Sequence, residues 1–199
     1  MRIDHRIIED WVEPGTRVLD LGCGDGSLLK NLAERKNIHG YGIEISAENI
    51  LRCVENGVNV IEQDLDDGLA NFDDQSFDTV IMSQTIQTMM HPDRMLMEML
   101  RVGRQCIITF PNFGHWKARW HLAINGRMPV SDLLPYEWYN TPNIHFCTFR
   151  DFEVLCAALQ LNKLNREVIG GGNVVDNMLQ AIHPNLFGAT ALYRLTRKS

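Results

Sequence analysis

Three acids stand in register with a run of glycines, and they are the residues best suited to hold a ligand. Val18 to Gly26 reads V-L-D-L-G-C-G-D-G. Val18 to Leu21 has the apolar character of a short buried strand, with Asp20 as its acid. Gly22, Cys23, Gly24, Asp25 and Gly26 then form a tight turn into a helix, because glycine adopts positive φ without steric cost. A strand, a glycine turn and a helix start place a nucleotide crevice at the carboxyl end of a parallel sheet. Glu44 closes the next strand in Y-G-I-E-I-S, about twenty residues past the turn, where a carboxylate can grip a ribose diol. Asp64, in I-E-Q-D-L, closes the strand after that. It can accept an adenine amino group while Leu65 covers the ring.

The chemistry of the ligand follows from charge. Dinucleotide sites show G-x-G-x-x-G, and here the third glycine comes one residue early. A pyrophosphate needs bare backbone N–H groups at the helix start, yet Asp20 and Asp25 set two carboxylates there. S-adenosylmethionine has no phosphate and carries an ammonium and a sulfonium, for which these acids are neutral or helpful.

The elements that must position these residues are legible from periodicity. Asp4–Val12 reads as a short helix with Asp4 as N-cap, its apolar face being Ile7, Ile8, Trp11 and Val12. Helical spacing continues through Leu28, Leu29, Leu32 and Ala33. A second strand is expected over Gly40–Ile45. Ser46 then caps a helix with Ile50, Leu51 and Val54 on its inner face, ended by Gly57. Val58–Glu62 forms a third strand, and the acidic run Asp66–Gln75 a loop. Phe77–Met82 and Cys106–Phe110 are the fourth and fifth strands. Between them a helix opens at Pro92 and closes at Gly103, with Met95, Leu96, Met99 and Leu100 inward. Thr148 and Asp151 cap a helix with Val154, Leu155, Ala158 and Leu159 buried. Late strands are expected near Leu164–Ile169 and Ala189–Leu195, with Gly170-Gly171-Gly172 and Pro184-Asn185 in a loop between. Alternating strands and helices imply an α/β, doubly wound, mostly parallel sheet with helices on both faces.

The chain has 199 residues and a net charge of −6, which disfavours a nucleic-acid surface over the whole domain. No apolar run approaches the roughly 18–20 residues of a membrane span, and the start lacks the apolar centre of a signal peptide. The expected protein is therefore cytoplasmic, without a membrane or nucleic-acid partner, and a single domain over 1–199. The five cysteines, including Cys23 in the glycine turn, are widely spaced without C-x-x-C. That disfavours disulfides and a zinc site, and no metal is expected.

Residues 111–147 break the alternation and read as an insertion, or lid, over the carboxyl end of the sheet. They are rich in aromatics and histidines. Trp116, Trp120, Ala123 and Ile124 keep helical spacing, and Phe113–Met128 holds Lys117, Arg119 and Arg127 with no acid. His115, His121 and His145 are candidate bases or hydrogen-bonding groups within the insertion, and no catalytic residue is assigned. Trp116, Trp120, Trp138 and Tyr139 can wall an acceptor pocket, form the insertion's own core, or anchor a partner.

V-L-D-L-G-C-G-D-G, G-I-E-I-S and E-Q-D-L together resemble the class I S-adenosylmethionine-dependent methyltransferase fold. F-D-T-V-I-M-S and H-F-C-T-F-R-D-F-E match its usual course. The resemblance implies a Rossmann-like, seven-stranded sheet with the last strand antiparallel. It implies S-adenosylmethionine or S-adenosylhomocysteine as cofactor, with contacts from Asp20, Gly22, Cys23, Gly24, Gly26, Glu44, Ile45, Asp64, Leu65 and Ser83, and with Gln84 near the methionine end. I-T-F-P-N-F-G-H-W and L-P-Y-E-W-Y-N-T-P-N-I-H-F-C-T are not general methyltransferase motifs. With them, essentially the whole chain resembles the MetW family of methionine biosynthesis proteins. That likeness implies a partner that supports the homoserine O-acyltransferase MetX in a hetero-oligomer. The alternative is an active S-adenosylmethionine-dependent methyltransferase acting on a small molecule.

Overall fold

The computed structural model describes residues 2–131, 134–170 and 179–198. Gly171 and Gly172 of the expected glycine loop lie outside them. The first half alternates regularly: α1 (Ile3–Trp11), β1 (Arg17–Leu21), α2 (Ser27–Lys36), β2 (His39–Glu44), α3 (Ala47–Glu55) and β3 (Asn59–Glu62). After β4 (Phe77–Ser83), α4 (Pro92–Val102) and β5 (Gly103–Pro111) come α5 (Trp116–Asn125), α6 (Phe149–Ala158) and β6 (Leu161–Gly170). A short helix, α7 (Pro184–Phe187), leads into β7 (Gly188–Arg197), so Pro184-Asn185 opens a helical turn where a loop was expected.

The seven strands lie in the order β3-β2-β1-β4-β5-β7-β6. β7 runs antiparallel to both β5 and β6, and the pairs from β3 to β5 are parallel. Successive strand side chains point to opposite faces, and neighbouring residues split accordingly. Val18, Ile81, Ile107 and Leu192 face one core with α1, α2 and Cys53. Leu19, Val80, Ile108 and Tyr193 face the other with α4 and α6. Central strands buried on both faces explain the near-continuous apolar runs of β4 and β5.

Three local expectations are corrected. Asp4 sits inside α1, whose N-cap is Arg2. Its buried carboxylate pairs with Arg2 and accepts the His5 N–H at 3.1 Å. On α3, Leu51 and Val54 are exposed, and Cys53 is the buried residue. The helix packs on the glycine turn, where only a small side chain fits, and the Cys53 thiol donates to the Gly24 carbonyl at 3.1 Å. On α6 the buried face is Phe149, Phe152 and Cys156, and Val154 is exposed. The Phe152 ring lies 4.7 Å from that of Phe110 and 4.9 Å from that of Tyr193, so the aromatics win the inward face over the aliphatics. The Thr148–Asp151 capping box forms as expected.

The acidic loop after β3 is tied down by one cation. Arg101 on α4 donates to the Leu69 and Phe72 carbonyls at 2.8 and 2.9 Å and pairs with Asp74 and Glu98 at 2.7 and 2.8 Å. This holds the segment that carries Leu65 and Asp66 against the sheet rim. Among the described residues no helix is long and apolar enough to cross a membrane.

Candidate functional site

The sheet order reverses outward from β1, with β2 on one side and β4 on the other, and a crevice opens at the carboxyl ends of these strands. It is a cleft of about 530 Å³. The turn after β1 contributes Gly22 and Gly24, β2 ends in Glu44 and is followed by Ile45, β3 is followed by Asp64 and Leu65, and β4 ends in Ser83 and is followed by Gln84. The sequence-predicted residues Gly22, Gly24, Glu44, Ile45, Asp64, Leu65 and Ser83 thus come together on one wall system.

The glycine turn is held by β2. The Gly22 and Cys23 N–H groups both donate to the Ile43 carbonyl, at 2.9 and 3.0 Å. Gly22 has φ +72, and a Cβ there would lie 2.7 Å from the Thr85 hydroxyl, so the turn and the segment after β4 close on each other only without a side chain. Glu44 fixes the other end. One carboxylate oxygen accepts the Gly24 N–H at 2.8 Å, and the other accepts Ile45 and Ser46 N–H at 3.0 and 2.9 Å. A carboxylate has about four acceptor positions, so these three bonds leave Glu44 room to take a hydroxyl. Asp64 caps the short 3-10 turn Leu65–Asp67, accepting the Asp66 N–H at 2.9 Å. Asp66 in turn accepts the Met90 N–H at 3.0 Å, which draws the β3 and β4 loops together across the cleft.

Asp20, Cys23 and Gly26 stand behind this wall. Asp20 is 2% exposed on β1, and its Oδ1 has no hydrogen-bond partner. Burial, with Glu44 close by, pushes its carboxyl up to about 7. Cys23 packs against the backbone of β2 and against Cys53, its Sγ 3.7 Å from that of Cys53. A Cβ on Gly42 would collide with Cys23, so β2 carries glycine there. Gly26, at the start of α2, faces Cys53 and Val58. The small-core-residue reading of Cys23 describes its surroundings, and burial pushes its thiol far above the usual range.

Sequence reasoning missed Asn49, Asp66, Thr88, Met89 and Pro142, which also line the cleft. Their only signals were position, since each lies just after a strand end or at the proline-broken part of the 111–147 segment. Pro142 reaches the cleft because Ile144 and His145 donate their backbone N–H groups to the Gln87 carbonyl, both at 3.0 Å. None of the histidines lines it. His115 is the buried N-cap of α5 and accepts the Lys117 N–H at 3.4 Å. His115 and His121 border a separate cavity of about 330 Å³. His145 lies in another, beside Cys147 and Asp151.

The cleft's charge is one-sided. Among the described residues Glu44, Asp64 and Asp66 line it, with no lysine, arginine or histidine. A buried carboxylate oxygen without a partner lies behind them at Asp20. Leaving such a group unpaired is costly, and a cation in the cleft would relieve it. A phosphate would find only like charge.

A sequence profile described as "Methionine biosynthesis protein MetW" matches residues 2–195. A bifunctional methionine biosynthesis protein, MetXA/MetW, of Rhodopirellula baltica is 35% identical over 208 residues, covering 100% of this chain and 33% of that protein. The chain belongs to the MetW family. It therefore spans about a third of this longer relative. Solved structures show where the MetW fold sits. A Pyrococcus horikoshii protein superposes with a TM-score of 0.69 at 20% identity, covering 97% of this chain and 87% of that one. An S-adenosylmethionine-dependent methyltransferase of Archaeoglobus fulgidus gives 0.67 at 16% identity, over 97% and 94%. At these identities the likeness concerns the fold alone: this MetW chain has the Rossmann-like α/β fold of those proteins.

Proposed function

We propose that this MetW chain binds S-adenosylmethionine, or its product S-adenosylhomocysteine, in the acid-lined cleft and acts in methionine biosynthesis as the partner of the homoserine O-acyltransferase MetX. The observation that carries the cofactor is the cleft's charge: carboxylates after β2 and β3, a buried unpaired Asp20 on β1 behind them, and no cation among the described residues. In this reading Glu44 takes a ribose hydroxyl, Asp64 the adenine amino group, and Leu65 and Ile45 the faces of the ring. Gly22 and Gly24 leave room for the methionine moiety beside Ser83 and Gln84. Asp20 stabilises the cofactor's positive charge through the turn. Cys23 and Gly26 shape the turn from behind.

The partnership rests on the Rhodopirellula relative, in which MetXA and MetW share one chain, and on the surface of residues 111–147. Among its described residues α5 buries none. Trp120 is 65% exposed and Trp138 73%, with Ile124 and Tyr139 also exposed. Lys117, Arg119 and Arg127 fall in the same segment, which has no acid from 113 to 128. Exposed aromatics beside a cationic stretch suit an interface with an acidic partner. The segment thus serves as a docking lid. Its link to the cleft through Pro142 lets cofactor occupancy reach the docking face.

Calorimetry with S-adenosylmethionine and with NAD tests the cleft: the first binds and the second does not. Binding of NAD alone would overturn the cofactor reading. Co-elution with purified MetX, and a gain in homoserine acylation, test the partnership. A Trp120→Ser/Trp138→Ser variant keeps its fold and loses co-elution. No co-elution of the unsubstituted protein would remove the partnership. Steady production of S-adenosylhomocysteine from homoserine-pathway metabolites would favour a methyltransferase of its own instead.

A further inference from the structure

A second cavity, of about 410 Å³, lies among α5, α6, β6 and α7 and shares no lining residue with the glycine cleft. Its charge is opposite. Arg119, Arg150, Arg166 and His183 line it, with Glu153 as its one acid among the described residues. That acid is already engaged: Glu153 accepts the Tyr193 hydroxyl at 3.2 Å and pairs with Arg166 at 3.0 Å and Lys163 at 3.8 Å. The surplus is two positive charges on a chain whose net charge is −6.

The walls are built. Asn185, at the start of α7, is held from three sides. Its carbonyl accepts Asn112 Nδ2 at 3.1 Å and Arg119 Nη2 at 3.5 Å, and its side-chain oxygen accepts the Arg150 N–H at 3.3 Å. Arg119 is further fixed by the Gly114 carbonyl. These bonds use only part of the guanidinium donor set, which offers five N–H groups per arginine. Phe149, Ile182, Pro184 and Leu186 add an apolar wall beside the cations.

We infer that this cavity binds a small molecule bearing a phosphoryl group, its oxygens met by Arg119, Arg150 and Arg166 and its organic part lying on Phe149 and Ile182. Three guanidiniums from three elements suit a tetrahedral dianion, whose oxygens point in several directions. A carboxylate presents one planar edge and satisfies one fork at a time. The volume exceeds that of the phosphoryl group alone and leaves space for the apolar part.

Titration with phenyl phosphate, inorganic phosphate and benzoate at low salt tests this, since screening weakens exposed charge pairs. Phenyl phosphate is expected to bind about tenfold more tightly than benzoate, and inorganic phosphate to compete with it. Arg150→Gln and Arg166→Gln each weaken phenyl phosphate about tenfold, and Glu153→Gln strengthens it. Thermal midpoints identify any variant that fails to fold. Arg150 is exposed, so its substitution remains informative even if loss of the Arg166–Glu153 pair unfolds the other. Benzoate binding as tightly as phenyl phosphate, affinity unchanged in Arg150→Gln, or absence of saturable binding would each overturn the assignment. S-adenosylmethionine is expected not to compete, which separates failure here from failure of the cleft reading.

Discussion

Replacing Asp20 by asparagine removes the one charge whose environment the fold makes most unfavourable. Asp20 is buried, its carboxyl is raised from 3.8 to about 7, and desolvation leads the causes, ahead of repulsion by Glu44 and a weak opposing pull from Arg2. The sign runs against the usual one for an acid. The folded protein holds a proton that the unfolded chain has lost, so the group costs stability as pH rises from about 4 to about 7, and the full cost stands above that. A shift of about three units corresponds to about 4 kcal/mol at most. Asparagine has the same shape and no such cost. In urea melts the advantage of Asp20→Asn over the unsubstituted protein should therefore grow by roughly 2–3 kcal/mol between about pH 5 and pH 7.5. Binding should move the other way. A cationic cofactor favours the ionised carboxylate, so affinity for S-adenosylmethionine rises over that range in the unsubstituted protein and stays flatter and weaker in the variant. Parallel stability curves across the pH range would refute the claim that Asp20 is held as an unpaired buried acid. Parallel affinity curves would refute its role toward the cation.

Glu44→Ala should weaken S-adenosylmethionine binding by about 1–3 kcal/mol in calorimetry, because it removes a charged acceptor and frees the Gly24, Ile45 and Ser46 N–H groups. Arg101→Ala should lower stability by about 2–4 kcal/mol in denaturant melts, since two loop carbonyls and two carboxylates lose their shared donor. Amide exchange should then quicken over residues 65–75 first. Gly42→Ala should cost about 1–3 kcal/mol through overlap with Cys23, and Gly42→Ala/Cys23→Gly should recover part of it in the same melts.

The strand and helix succession was legible because a sheet covered on both faces needs long apolar strands, and amphipathic helices need a 3.6-residue period. Ser46, the Pro92–Gly103 helix and the Thr148–Asp151 box were readable for the same local reason: each is chemistry between residues a few positions apart. The inner faces of α3 and α6 were misread. Leu51 and Val54 have the right spacing to be buried, yet α3 lies at the rim where the glycine turn admits only Cys53. On α6, Phe149 and Phe152 displaced Val154 because Phe110 and Tyr193 present ring faces from strands far off in sequence. Periodicity shows that a stripe exists; which of two overlapping stripes turns inward depends on the shape of the partner.

By itself the sequence determined the acids and glycines at successive strand ends, and with them the negative charge of the cleft they line. Spacing alone sufficed, because a parallel α/β chain brings every strand's carboxyl end to one rim. Only the tertiary structure decided that Asp20 stands behind that rim without a partner, that Asp66, Met89 and Pro142 complete the cleft, and that α5 turns Trp120 outward. It also gathered Arg119, Arg150 and Arg166 from three elements, with His183 from the turn before α7, around one cavity. Such contacts join residues tens of positions apart, and no local pattern of charge or hydrophobicity records which of them will meet.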